Sequence, residues 1–166
     1  MEFRVLGPLE VLDGEQAVKL GGAKQRALLA VLLLDANAVV SSDRLVDLLW
    51  GDEPPATASH SIQVYVSNLR KAVGSARLRT VPPGYSVEVG PDELDLARFE
   101  RLLDEGRSRL AEGNAEPAAT TLRDALAIWH GPPLADFSYE PFAQPAIGRL
   151  EELRLAALEL LSLIHI

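Results

Sequence analysis

The side chains of residues 57–73 carry the groups whose types and spacing most clearly indicate a chemistry. They lie in a window from Pro54 to Val87 that contains four basic residues and no Asp or Glu, although the whole chain has a formal net charge of −8. Carboxylates repel a phosphate backbone, whereas basic and amide side chains bind phosphates and base edges. The window is therefore the place where a polyanion would bind.

Helical periodicity predicts which of these side chains face solvent. Four apolar residues at helical spacing form one buried stripe: Ile62, Val66, Leu69 and Val73. A second face and its polar edge then point outward, formed by Ser61, Val64, Asn68 and Lys71 and by His60, Gln63, Ser67 and Arg70. Amides pair with adenine, and basic groups pair with guanine or phosphate. An ordinary solvated helix shows the same division, so this pattern leaves that alternative open.

The flanking segments predict an α+β unit that positions this helix. Turn dipeptides and alternation predict strands at about 2–6, 9–12 and 16–20. Helices follow at about 23–35 and after Ser41 or Ser42, a plausible N-cap, and Pro54 and Pro55 end the second one. A hairpin is predicted at 77–81 and 85–89, around a Pro-Pro-Gly turn. A hairpin directly after a helix with a basic face is the winged-helix arrangement, in which the helix enters the major groove.

The second half of the chain differs in charge and in predicted structure. Residues 1–90 have a net charge of −1, whereas residues 91–166 have a net charge of −7. Helices are predicted from Asp92 or Asp95, over NAEPAATTLRDALAIWHG, and from about Phe142. Their succession through short loops is typical of tetratricopeptide-like hairpins. The sequence therefore predicts a DNA-binding domain at 1–90 and a helical domain at 91–166.

Composition and motifs argue against several other classes of protein. The chain has no Cys, and its longest apolar run, at 27–34, is too short to span a bilayer. The N-terminus lacks the pattern of a secretory signal, so a cytoplasmic, nucleoid-associated location is expected. Three scattered His and the lack of a phosphate loop, an HExxH motif or a nucleophile elbow predict that the protein is not an enzyme. No cofactor or metal is expected.

Several motifs, in one order, resemble the streptomycete antibiotic regulatory protein family. The most specific are LGPLEV, LLWGDEPPATA, QVYVSNLRKAV and VPPGYSVEV. The segment from LDLARFERLL to GPPLADF is similar to the bacterial transcriptional activation domain that follows in this family. The resemblance covers residues 2 to about 160. It implies an α+β, OmpR-type winged helix-turn-helix followed by an all-α, tetratricopeptide-like domain.

The same resemblance implies which residues meet DNA. On the recognition helix at 57–73 they are His60, Ser61, Gln63, Val64, Tyr65, Asn68, Arg70 and Lys71, and on the wing they are Arg79, Thr80 and Tyr85. Many relatives carry a basic residue where this chain has Ser67 or Asn68, so its base preference is expected to differ. Two alternatives stay open: Tyr65 is packed instead of exposed, or Arg79 is a cross-strand partner.

The function that the resemblance implies is that of a transcriptional activator. Members bind direct repeats in promoters, recruit RNA polymerase and regulate specialised-metabolite gene clusters of the antibiotic type. A homodimer on DNA is a further expectation, and no membrane partner is expected. The alternatives are a protein-interaction module that uses the helical half, or a kinase-linked regulator with an additional phosphopeptide-binding domain.

The end of the sequence predicts a C-terminally truncated chain. Charge disappears in the last six residues, LSLIHI (161–166), after a strongly charged helical segment. These residues match a translation of a transposon end used in sequencing libraries. They are therefore expected to be non-native, and His165 to have no functional role. A genuine apolar C-terminus is the alternative.

Overall fold

The computed structural model describes residues 1–164, so the expectation for His165 lies outside the described residues. Its strands are β1 (Glu2–Arg4), β2 (Glu10–Asp13), β3 (Gln16–Ala17), β4 (Val40–Ser41), β5 (Leu78–Val81) and β6 (Gly84–Val87). Its α-helices are α1 (Ala23–Leu34), α2 (Ser42–Trp50), α3 (Ala58–Val73), α4 (Asp95–Ala111), α5 (Ala115–Ala127) and α6 (Gln144–Ile164). Short 3-10 turns lie at Ala135–Phe137 and Pro141–Ala143. None of the described helices is both long enough and apolar enough to cross a membrane.

The chain forms two compact units. The first contains Met1 and Glu10–Gly90, and the second combines Glu2–Leu9 with the chain from Pro91 onward. The sequence-based division at 1–90 and 91–166 thus differs from the structure for the first strand, β1, which belongs with the helical unit.

The first unit is built around α1, whose residues from Ala27 to Leu33 are all buried. Helices α2 and α3 pack on it, and the predicted stripe of Ile62, Val66, Leu69 and Val73 is buried as expected. Below them lies an antiparallel sheet in the order β4-β6-β5, in which Val40 pairs with Tyr85. Strand β4 was absent from the sequence-based prediction, because two residues are too few to show alternation.

Local sequence signals determine where α2, the helix before the recognition helix, begins and ends. The Ser41 side chain accepts a hydrogen bond of 3.1 Å from the Arg44 backbone N–H, so Ser41 is the N-cap of α2. Gly51, with a φ of 67°, ends this helix, and its N–H donates to the Asp47 carbonyl. Helix α3 then begins at Ala58, within one residue of the predicted start.

The second unit stacks α4 on α5 and α5 on α6, which is the predicted succession of helical hairpins. Gly106 of α4 lies directly against the Leu122 side chain of α5, so the two helices approach closely. Phe99 and Trp129 meet edge to face in the core, with ring centroids 5.3 Å apart. These contacts give the helical unit a core of its own.

A buried carboxylate explains why the N-terminal segment belongs to this second unit. Asp95 is fully buried, and its carboxylate accepts hydrogen bonds of 2.9 Å from the backbone N–H groups of Val5 and Leu6. The Phe3 N–H donates to the Glu93 carbonyl at 2.7 Å. Burial raises the pKa of Asp95, whereas the hydrogen bonds from Val5 and Leu6 act in the opposite direction. Residues 2–9 are therefore held by hydrogen bonds that sequence patterns do not reveal.

Candidate nucleic-acid interface

One side of α3 is exposed along most of its length. The exposed residues recur at i, i+3, i+4, i+7, i+8 and i+11, and they are His60, Gln63, Val64, Ser67, Asn68 and Lys71. Helix α3 contains no acidic residue. Val64, at the centre of this face, leaves 41% of its surface open to solvent. We call these six residues the reading face; they are the groups of the first unit that can enter a groove together.

Arg70, predicted to meet DNA, is instead half-buried and bonded within the unit. Its Nε donates to the Leu78 carbonyl oxygen at 2.8 Å, and a terminal nitrogen donates to Thr80 Oγ1 at 2.5 Å. Both acceptors belong to β5, the first strand of the hairpin. The guanidinium fork therefore fastens the hairpin to the recognition helix, because its donors point at the strand.

Asn68 is exposed, yet its amide has a partner in α1. Asn68 Nδ2 donates to Gln25 Oε1 at 3.1 Å, and Gln25 Nε2 donates to the Leu20 carbonyl at 2.8 Å. Gln25, which the sequence did not single out, thus touches the reading face. In the sequence, only the glycine at position 21 points to the role of Gln25, because a Cβ at that position would overlap the Gln25 amide.

Tyr65 is packed, which is the alternative that the sequence left open. Its ring stacks on Trp50 of α2, with centroids 6.4 Å apart and an angle of 17° between the planes. Lys24 lies over the Trp50 ring, with its Nζ 5.3 Å from the ring centroid. The same Nζ donates to the Leu49 carbonyl at 2.6 Å. Tyr65 and Ser61 are both half-buried and border the reading face. Trp50 and Lys24 shape this border, and sequence reasoning missed both.

The hairpin of β5 and β6 presents two of its three predicted contacts to solvent. Arg79 and Thr80 are exposed, whereas Tyr85 is buried, because it pairs with Val40 on one side and with Thr80 on the other. Tyr85 is therefore a core residue of the sheet, contrary to the prediction. Arg79 Nη1 lies 3.8 Å from Glu88 Oε1, so the cross-strand alternative holds in this structure. Both partners are well exposed, and such pairs contribute little stability, so Arg79 can exchange Glu88 for a phosphate.

Within residues 1–164, no cluster of three or more His, Asp or Glu side chains could hold a metal ion. The reading face offers amide, hydroxyl, imidazole, ammonium and methyl groups. Those are groups for hydrogen bonding and apolar contact with base edges and phosphates.

Two family descriptions match consecutive parts of the chain. Residues 15–86 match the C-terminal domain of transcriptional regulatory proteins, and residues 94–165 match the bacterial transcriptional activator domain. The first match contains α3 and nearly all of the hairpin. The second contains nearly all of the helical unit that follows Gly90.

Curated regulators are similar along almost the whole chain. The regulatory protein EmbR of Mycobacterium tuberculosis is 37% identical over 95% of this chain, which spans 42% of EmbR. DnrI of Streptomyces peucetius is 34% identical over 96% of this chain, which spans 62% of DnrI. AfsR of Streptomyces coelicolor is 37% identical over 96% of this chain, which spans 16% of AfsR. The chain therefore spans only part of the length of these relatives.

A solved structure agrees with the fold. M. tuberculosis EmbR in complex with a low-affinity phosphopeptide superimposes with a TM-score of 0.90 at 36% identity. The match covers 94% of this chain and 43% of that protein. Together with the two family matches, it confirms the predicted fold class, an OmpR-type winged helix followed by a helical domain.

Proposed function

Because the chain belongs to the streptomycete antibiotic regulatory protein family, transcriptional regulators that join an OmpR-type winged helix to a bacterial transcriptional activator domain, we propose that it binds double-stranded DNA in a sequence-specific way. Helix α3 enters the major groove, and the hairpin of β5 and β6 meets the adjacent backbone or minor groove. Reading-face side chains contact base edges, while Lys71 and Arg79 contact phosphates. The first unit is then the reader, and the second serves activation.

The observation that carries this proposal is the composition of the exposed surface of α3. The six side chains of the reading face are polar, basic or small and apolar, and none is acidic, in a chain of net charge −8. No carboxylates lie on this face. Their absence suits a surface that approaches phosphates, because each carboxylate there would weaken binding.

The hydrogen bonds of Arg70 support the same reading in a second way. They hold the hairpin to the last turn of the recognition helix, so helix and hairpin present one continuous surface. Preorganised groups bind with a smaller loss of conformational entropy. A fixed wing beside a groove-reading helix is therefore a physical advantage for DNA binding.

The finer functional proposal concerns activation. Membership of the family favours an activator that binds promoter direct repeats, one protomer per repeat, recruits RNA polymerase and controls a specialised-metabolite gene cluster. Homodimerisation on DNA would place neighbouring recognition helices about one helical turn, or roughly 10 base pairs, apart. The acidic second unit, of net charge −7 over residues 91–166, would be repelled by DNA and suits a protein partner.

The direct test is selection of duplexes from a random DNA pool with the whole chain. We expect an enriched motif that recurs as a direct repeat with a spacing of about 10 base pairs. The affinity for that motif should fall steeply with salt, because bound phosphates release counterions. A folded protein that enriches no motif at low salt contradicts the proposal.

A protein-interaction module is the other candidate function. The charge of the second unit supports it, and the solved EmbR relative is itself in complex with a phosphopeptide. A kinase-linked regulator with an additional phosphopeptide-binding domain is a separate alternative and would itself bind DNA; this chain spans 43% of the solved EmbR. A chain that acts only through protein contacts would show no preference among duplexes, and variants of the reading face would leave its partner binding unchanged.

A further inference from the structure

The Asn68 amide belongs to a chain of hydrogen bonds with a fixed direction. Leu20 contributes a backbone carbonyl, which can only accept a hydrogen bond. It accepts from Gln25 Nε2 at 2.8 Å, so the Gln25 oxygen must point the other way. That oxygen accepts from Asn68 Nδ2 at 3.1 Å. The orientation of the Asn68 amide is thus determined by a backbone carbonyl two hydrogen bonds away.

The conformation of the chain before α1 makes this relay possible. Gly21 has a φ of +89°, and a Cβ at this position would overlap the Gln25 amide. Glycine alone adopts this conformation at little cost and leaves the space that the amide fills. The relay therefore depends on the backbone around Leu20 and Gly21, and does not arise from two mobile surface side chains.

From this geometry, and resting on the proposed function, we infer that Gln25 is a positioning residue for Asn68. Gln25 makes Asn68 present its carbonyl oxygen to the major groove, and that oxygen selects a base that carries an amino group. Adenine offers its N6 amino group and cytosine its N4 amino group in that groove. Guanine and thymine offer only acceptors there, apart from the thymine methyl group. An oriented acceptor discriminates against both, because two acceptors facing each other cannot form a hydrogen bond.

An unrestrained Asn discriminates less. Its amide rotates and presents either its oxygen or its nitrogen, and the two edges differ in hydrogen-bonding sense. The relay removes that choice at position 68. Gln25 therefore contributes to specificity without contacting DNA, whereas Asn68 makes the contact.

The test begins with the motif that the whole wild-type chain selects from random duplexes. The Asn68→Ala substitution is made at an exposed position. Comparison of its selected motif with that of the wild-type chain identifies the base pair whose preference depends on Asn68. We expect that removal of the exocyclic amino group from the adenine or cytosine of that pair, by purine or 2-pyrimidinone substitution, lowers the affinity of the wild-type chain about tenfold and leaves that of Asn68→Ala unchanged. Unchanged wild-type affinity for the duplex without the amino group, or no position that responds to Asn68→Ala, would overturn the inference.

The relay itself is tested by Gln25→Met, which keeps the length of the side chain and removes both hydrogen bonds. We expect discrimination at the Asn68-dependent position to fall to about threefold or less while preferences elsewhere in the motif are retained. The matched control is Gln16→Met, an exposed Gln of β3, which should leave every preference unchanged. Retention of full discrimination by a folded Gln25→Met protein would show that Gln25 does not orient Asn68.

Failure of this inference is distinguishable from failure of the proposed function. A folded wild-type chain that selects no motif refutes DNA reading altogether. A selected motif in which removal of the amino group from the Asn68-dependent pair leaves the affinity unchanged refutes only the relay. Thermal melting of each variant separates both results from a loss of structure.

Discussion

At the scale of single residues, the neighbours Arg70 and Lys71 have different surroundings. Arg70 is half-buried and donates to the Leu78 carbonyl and to the Thr80 hydroxyl. Lys71 is exposed on the reading face. The sequence places both on a basic helix, but it does not say which one is committed to the fold. Only the position of β5 decides that.

Lys71→Ala should weaken DNA binding without altering stability. A removed phosphate contact lowers the affinity about equally for all duplexes and reduces the slope of log affinity against log salt by about 1. The measurement is a salt titration of duplex binding. Lys19→Ala, at an exposed lysine outside α3, is the matched control and should change neither quantity. An unchanged salt slope for Lys71→Ala would exclude Lys71 from the interface.

Arg70→Met should destabilise the first unit, by about 1–3 kcal/mol in the free energy of unfolding, because two acceptors lose their charged donor. Denaturant unfolding measures this loss. Thr80→Val removes one of the two acceptors, so the double variant should lose less than the sum of the two single variants. Additive losses would mean that Arg70 and Thr80 do not interact in solution.

At the scale of elements, the helices could be predicted more fully than the strands. The sequence located α1, α2 and α3 to within one or two residues, because a continuous apolar run marks α1 and caps and apolar stripes mark α2 and α3. Strand β4 is only Val40–Ser41, and the sheet forms around it through long-range pairing with β6. Tyr85 was wrongly predicted to be a wing contact, because the sequence shows that it lies in the hairpin but does not show that β4 pairs with its strand.

Gly84→Ala should destabilise the sheet formed by β4, β6 and β5. A Cβ at Gly84 would overlap the Val40 carbonyl oxygen and would come within 2.7 Å of Ser41 Cα. Backbone atoms cannot move aside as a side chain can, so we expect a loss of about 2 kcal/mol or more in unfolding free energy. Gly22→Ala is the control, because its Cβ would meet no atom within 4 Å. Equal melting temperatures for the two variants would contradict the close approach of β4 and β6.

Gly106→Ala should weaken the packing of α4 on α5. Its Cβ would come within 2.7 Å of the Leu122 Cδ2 atom, so the buried Leu122 must move. We expect destabilisation of about 1–3 kcal/mol, the range typical of overpacked cores. Gly148→Ala in α6 meets no atom within 4 Å and should stabilise its helix slightly, because Ala has the higher helix propensity. Chemical denaturation of both variants checks this difference in sign.

At the scale of the whole molecule, the sequence predicted the order of the two units but not the membership of residues 2–9. Alternation in the N-terminal segment indicates strands, and strands are expected to join the nearest sheet. The structure also holds this segment through Asp95, which lies 89 residues from Leu6 in the chain. Hydrogen bonds from backbone N–H groups to one distant carboxylate leave no periodic signal in sequence.

Removal of residues 1–9 should therefore loosen the helical unit and leave the recognition helix α3 unchanged. Asp95 would lose the Val5 and Leu6 donors and keep the Leu96 N–H, and a buried carboxylate that loses hydrogen-bond donors is destabilised. We expect faster amide hydrogen exchange in α4 and unchanged exchange in α3. Asp95→Ala in the whole chain should reproduce this pattern. Faster exchange in α3 with protection of α4 would contradict this division of the chain.

Site-specific photo-crosslinking to the selected duplex shows whether the exposed side of α3 reads DNA. A photoreactive amino acid replaces Val64, at the centre of the reading face, or Tyr139, which is almost fully exposed in the helical unit. Efficient crosslinks to bases are expected from position 64 and none from position 139. A bound duplex that crosslinks from position 139 and not from position 64 would contradict this expectation.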